Sequence, residues 1–190
     1  SVGDATRERV EQVIREMNYT PNYVAKNLKT KNTRSIGVIA EDMTVFALPD
    51  IIDGITEYCE EEDYQILLVN LRLYKKFQDK YYRDNRHKEI VRQEIQKLLA
   101  KQVEGIIYVA AHERLINIIP EDLPIPTVVA YGFTGSEKIP SVVVKDIKGA
   151  YDLVSYIVSK GHKKIGVIAG KKESIHTQSR LEGYQKALFE

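Results

Sequence analysis

One cysteine, Cys59, stands among 190 residues, so no internal disulfide can form. Such usage fits a reducing compartment. No apolar run approaches the roughly 20 residues that a membrane-spanning helix needs. No charged-then-apolar leader opens the chain. The expected location is therefore the cytoplasm, with no membrane partner. Net charge is only +1, so overall charge argues for no partner class, and only its local distribution can. Catalytic signatures are missing as well. No G-x-G-x-x-G follows an apolar run, and no G-x-S-x-G elbow occurs. Gly166-Val-Ile-Ala-Gly170-Lys171-Lys172 is one residue short of a phosphate-binding loop and lacks the hydroxyl that would hold magnesium. His87, His112, His162 and His176 share no metal-ligand spacing. These gaps predict a protein that is not an enzyme, with no cofactor and no metal.

What is present is ordinary globular material: 43% hydrophobic and 29% charged residues, enough to core one large or two small domains. Charge is uneven, however. No acidic residue occurs from Pro21 to Ser35, while Lys26, Lys29, Lys31 and Arg34 make that stretch purely basic. Within it, 22–29 is compatible with a short helix bearing an exposed Leu28. A basic, marginally helical segment with an apolar wedge suits a DNA minor groove. A plain interdomain linker has the same composition. Before it, Val10, Val13, Ile14 and Met17 form one helical stripe, with Asp4 as the expected N-cap and Asn18 as the stop. One helix of that length cannot bury such a stripe alone, so it belongs to a small helical domain.

From Ser35 onward the pattern changes. Ile36-Gly-Val-Ile-Ala40, Ile66–Asn70, Gly105–Ala110, Thr127–Tyr131, Val142–Val144 and Ile165-Gly-Val-Ile-Ala169 are short apolar runs without alternation. Such runs are buried on both faces, as parallel strands are. Amphipathic helices fall between most of them, along Ile51 to Cys59, Ile90 to Leu99, Tyr151 to Val158 and Gln178 to Phe189. The predicted fold class is α/β with doubly wound parallel sheets. The repeated pentapeptide at 36 and 165 fits two similar lobes. Cys59, on an apolar helical face, is expected in the core, and His162 is expected to end a helix and face its C-terminal dipole.

In open α/β sheets, ligands bind beyond the carboxyl ends of the strands. Those ends carry residues 41–48, Ala111 and His112, residues 131–134, and residues 170–179. Phe46, His112 and Tyr131 are candidate stacking surfaces, and Arg180 a bidentate donor to ligand hydroxyls or a carboxylate. Core packing for the aromatics, and plain solvation for Arg180, are the alternative readings.

Thr6-Arg-Glu-Arg-Val10, Asn18 to Asn22, Val24-Ala25, Leu28, Ile36-Gly-Val38, Val103-Glu-Gly-Ile-Ile107, Gly161-His-Lys-Lys-Ile165 and Arg180-Leu-Glu-Gly-Tyr184 follow one another in order. This succession resembles the lactose-repressor family of bacterial transcription regulators. The resemblance implies a periplasmic-binding-protein-like core of two lobes, preceded by the remnant of a helical DNA-binding headpiece and a hinge. It implies residues 1–20 as the last helix of a helix-turn-helix headpiece without its recognition helix, 21–35 as hinge, 36–145 as one lobe, and 146–190 as the incomplete start of another. It implies a homodimer on a double-stranded DNA operator, controlled by a small, sugar-like effector. Thr6, Tyr19, Asn22, Lys26, Leu28 and Lys29 fall at DNA-facing positions. Val45, Phe46, Ala47, Ala111, His112, Tyr131, Ser174, His176, Gln178 and Arg180 fall around the effector. Two departures stand out: Val45-Phe-Ala47 replaces an aromatic-rich loop, and Tyr131 replaces an aspartate. A further basic, aromatic stretch, 71–86, is longer than the family's polar loop. The alternative reading is a periplasmic-type sugar receptor with no DNA role.

Overall fold

The computed structural model describes residues 3–17, 33–45, 47–78 and 86–189. The chain divides into two compact units, Ser1–Thr33 and Arg34–Glu190. Of the first unit, helix α1 (Asp4–Glu16) is described. Gly3 rather than Asp4 takes the N-cap position, and Asp4 lies in the first turn, where its charge still favours the helix dipole. Every residue of α1 is exposed, including Val10, Val13 and Ile14, as is Met17 at its C-cap. Asn18, Tyr19, Asn22, Lys26, Leu28 and Lys29, and with them residues 21–32 of the expected hinge, lie outside the described residues.

The second unit is an α/β sheet. It contains β1 (Ser35–Ala40), α2 (Leu48–Glu61), β2 (Gln65–Asn70), α3 (Leu73–Phe77), α4 (Lys88–Ala100), β3 (Gly105–Val109), β4 (Thr127–Ala130), β5 (Ser141–Val142), α5 (Asp146–Ser159) and α6 (Ile175–Phe189). Five strands pair in the order β2-β1-β3-β4-β5, all parallel. The order reverses between β1 and β3. Right-handed crossovers then place α2 on one face and α4 on the other, which is the doubly wound arrangement expected from sequence.

Burial explains why the runs form strands. Val38, Ile39 and Ala40 of central β1 are fully buried, as are Tyr108 and Val109 of β3. The helices present matching faces: Leu48, Ile52 and Cys59 from α2, and Val91, Ile95 and Leu98 from α4. Burial pushes the Cys59 thiol pKa up, as expected of a thiol used for packing. Gly37 has a specific reason to lack a side chain, since a Cβ there would lie 2.7 Å from Leu98 Cδ1. Helix α4 can approach the sheet closely only over that glycine.

Beyond β4 the expectations need correction. Only Ser141–Val142 pairs as β5, and Val142, Val143 and Val144 are exposed. The second copy of the pentapeptide, 165–169, is not a strand, and Ile168 is fully exposed. A strand is held by hydrogen bonds from neighbours, and among the described residues none pairs with 165–169. Helices α5 and α6 pack on one another, and Tyr184 Oη donates to Ile165 O at 2.8 Å. Gly183 permits that contact: a Cβ there would sit 2.1 Å from Ile147 O. Helix α5 ends at Ser159, with Gly161 at φ +87°, so the left-handed turn stops the helix and His162 lies three residues past its last residue rather than ending it. Arg34, counted by sequence among the basic linker residues, is instead bound to the second unit. Its amide donates to Glu104 at 2.7 Å, its Nε donates to Asp63 O at 2.8 Å, and its guanidinium lies over the Tyr64 ring.

Candidate functional site

The carboxyl edge of the sheet holds two groups of polar residues. The first sits at the reversal of strand order. Glu41, directly after β1, is fully buried. Its carboxylate accepts from Tyr108 Oη at 2.6 Å, from the Ala111 amide at 2.8 Å, and from Arg114 Nη1 and Nη2 at 3.0 and 2.6 Å. Burial raises its pKa, but the Arg114 hydrogen bonds and charge, with the amide and phenol, outweigh that and leave it below the ordinary value. Beside it, Asp42 accepts from the Thr44 amide and hydroxyl and from the Lys75 amide. These bonds overcome burial and lower its pKa too. Asp42 thereby ties the start of the 71–86 stretch, which begins with buried Leu71 and Leu73, to the β1 end.

The second group lies where β4, β5, α5 and α6 meet. Asp146, the first residue of α5, is buried. Its Oδ2 lies 2.5 Å from His176 Nδ1, and its Oδ1 accepts from Arg180 Nε at 2.7 Å. Burial raises the Asp146 pKa, but hydrogen bonds from His176 and Arg180, and their charges, bring it below the ordinary value. The His176 ring stacks on Tyr131 with centroids 5.6 Å apart. Tyr131 itself has φ +56°, uncommon for an aromatic residue and costly to hold. That backbone turn carries its ring off the end of β4 toward His176. Burial first, then the charges of Glu113 and Asp146, raise the Tyr131 pKa, so the phenol stays a neutral donor. With Nδ1 engaged by Asp146, His176 Nε2 is buried without a partner among the described residues. It is an acceptor when the ring is neutral and a donor when protonated.

Donor atoms of Glu113, Asp146 and His176 lie within 4.8 Å of one another, as metal ligands would. Arg180 on the same Asp146 carboxylate opposes a cation there, and the arrangement better suits a ligand rich in hydroxyls or carrying a carboxylate. Arg180 is 63% exposed, with its Nε held by Asp146.

The structure thus brings Tyr131, His176 and Arg180 together. Ala111 and His112 lie instead on the loop gripped by Glu41: Ala111 is buried, and His112 O accepts from Arg114 Nη1 at 3.3 Å. Val45 and Ala47, both half-buried, sit at the turn into α2. Phe46 lies outside the described residues. Ser174 and Gln178 stabilise the start of α6, where the Gln178 amide donates to Ser174 O and its side chain to Lys172 O. Thr6 is an exposed residue of α1. Sequence reasoning missed Glu41, Arg114, Glu113 and Asp146. A strand-end acid is a weak signal by itself, because its value depends on an arginine 73 residues away.

A family model described as periplasmic binding proteins and sugar binding domain of LacI family matches residues 33–190. The chain belongs to this family. It is 31% identical over 192 residues to the HTH-type transcriptional regulator RegA of Clostridium saccharobutylicum, covering 100% of this chain and 54% of that protein. It is 29% identical to the HTH-type transcriptional repressor PurR of Vibrio atlanticus, covering 100% of this chain and 53% of the relative. The chain therefore spans about half the length of the curated relatives it matches. Among solved structures, a lac repressor dimer bound to operator and the anti-inducer ONPF superposes with a TM-score of 0.69 at 24% identity. That superposition covers 100% of this chain and 54% of the repressor, a likeness of fold. Among the described residues, no helix is long and apolar enough to cross a membrane.

Proposed function

We propose that this LacI-family chain is the effector-responsive part of a cytoplasmic, non-enzymatic, DNA-binding transcription regulator of the repressor kind. The observation that carries the reading is the Tyr131–His176–Asp146–Arg180 constellation at the carboxyl edge of a doubly wound sheet. It offers an aromatic ring, an unpartnered imidazole nitrogen and an exposed guanidinium, the combination that grips a sugar-like molecule. Support for the DNA role comes from the acid-free basic segment 21–34 and from the regulators among its relatives.

The domain division follows the same reading: 1–20 headpiece helix, 21–35 hinge, 36–145 first lobe and 146–190 the beginning of a second. Effector held between lobes changes their angle, and the angle sets the spacing of paired hinge segments in a homodimer. Eight residues cannot hold a helix alone in water, so 22–29 coils only when paired on DNA. Leu28 then wedges a base step, with Tyr19, Asn22, Lys26, Lys29 and Thr6 on the backbone. Calorimetric titration of the intact protein against a panel of mono- and disaccharides, alongside an operator mobility-shift assay, tests the reading. Effector binding that releases DNA supports it. Sugar binding with no affinity for any operator favours the periplasmic-type receptor instead, and turnover of any panel member overturns the non-enzymatic reading.

A further inference from the structure

A doubly wound sheet ordinarily takes its ligand in the crevice where strand order reverses. Here that crevice lies between the ends of β1 and β3, and a side chain of the chain itself fills it. Glu41 is fully buried there, with a carboxylate that receives a bidentate guanidinium, a phenol and a main-chain amide. That donor set is what a protein builds for a bound carboxylate. Arg114, on the loop after β3, contributes the guanidinium and also holds His112 O. The same loop is anchored at its far end, where the Ile116 amide donates to Phe133 O at 2.7 Å and the Phe133 amide to Arg114 O at 3.1 Å. Between the anchors stands Glu113, whose Oε2 accepts from the Val144 amide at 3.3 Å, two residues before Asp146. Glu113, covalently next to Arg114, thus stands between the end of β1 and the second polar group, with its donor atom within 4.8 Å of those of Asp146 and His176.

We propose that Glu41 is an internal ligand: its carboxylate fills the switch-point crevice and, through Arg114, positions the loop that presents Glu113 to the Tyr131–His176–Arg180 site. The effector is thereby confined to the β4–α5–α6 side, and Glu41 is a positioning residue that never touches it. The last step rests on the function proposed above, but the test uses neither effector nor DNA, so the two readings fail separately.

Removing the carboxylate leaves a small-acid cavity lined by Arg114, Tyr108 and the Ala111 amide. In the Glu41→Ala variant of the whole chain, sodium acetate at about five times its Kd is expected to raise Tm by about 2–4 °C above a sodium chloride control. Wild type, whose crevice is filled, shows no such rise, and adding Arg114→Met to Glu41→Ala abolishes it. No acetate-specific rise in folded Glu41→Ala, or a rise that survives Arg114→Met, overturns the internal-ligand assignment. Positioning is read separately in Glu41→Gln, which keeps the shape and loses the charge. Amide hydrogen exchange at residues 111–116 is expected to quicken about tenfold or more while α4 amides keep their rates. Unchanged loop exchange, or equal acceleration in α4, overturns the positioning role. If Glu41→Ala does not fold, the Glu41→Gln exchange experiment alone decides.

Discussion

At the scale of single residues, Asp146 and Arg180 divide the work of the outer site. Arg180 donates from its Nε to Asp146, and its remaining nitrogens are the ligand donors of the proposed function. Losing a charge-assisted bond costs about 1.5–3 kcal/mol, so Arg180→Ala is expected to weaken effector binding roughly 10- to 100-fold by calorimetry. An unchanged isotherm against the true effector would remove Arg180 from the site. Asp146 is held below its ordinary pKa of 3.8 in the folded state. Its contribution to stability is therefore full above that ordinary value and is lost as pH falls through the lower folded pKa. Asp146→Asn should lower Tm at neutral pH, and the gap to wild type should close as pH drops below about 3.8. A gap that persists in acid would assign the loss to packing. Buried Glu41 obeys the same sign, and the coupled pair predicts non-additivity. Arg114→Met leaves a buried charge uncompensated and is expected to cost about 3–5 kcal/mol, whereas Glu41→Leu with Arg114→Met costs less. Additive losses in urea melts would contradict that coupling.

At the scale of elements, two glycines set how closely helices approach their supports. A Cβ on Gly37 meets the tip of a leucine that can shift, whereas one on Gly183 meets the main-chain oxygen of Ile147. Gly183→Ala is therefore expected to destabilise more than Gly37→Ala, which should fall near the overpacking range of about 1–3 kcal/mol. Urea midpoints measured side by side check the order, and a smaller loss for Gly183→Ala would mean that α5 and α6 separate freely. Element lengths were largely legible from sequence because periodic apolar faces coincide with buried ones: Val91, Ile95 and Leu98 line the buried face of α4. Besides the segments beyond β4, one exception is the start of the 71–86 stretch. Its first turn is organised by Asp42 across the sheet edge, a contact that no local pattern announces.

At the scale of the whole molecule, apolar surface is unevenly covered. Val142, Val143, Leu153, Tyr156, Val167 and Ile168 are all exposed in the second unit. Exposed apolar side chains in this number raise the tendency to bind other apolar surfaces. The 190-residue chain is expected to bind 8-anilinonaphthalene-1-sulfonate and to self-associate with concentration, and Ile168→Lys should reduce both. Monodisperse sedimentation with no dye binding would show that these side chains are covered in solution. On the function proposed above, Leu28→Ala is expected to weaken operator binding while leaving effector titration nearly unchanged. Equal operator affinity in both proteins would refute the hinge assignment.

Composition and periodicity alone determined the class of the core: unalternating apolar runs separated by amphipathic helices are buried on two faces, and parallel strands do that. They also located Tyr131 just past a strand and Arg180 within the last helix, since those positions follow from order along the chain. Two things were decided only by the third dimension. Ile-Gly-Val-Ile-Ala is a central strand at 36–40 and unpaired chain at 165–169, because a strand's hydrogen bonds belong to its neighbours rather than to its own residues. Likewise, Glu41 and Asp146 became buried anions only when distant cations folded against them. Long-range electrostatics of that kind leaves no trace in local pattern.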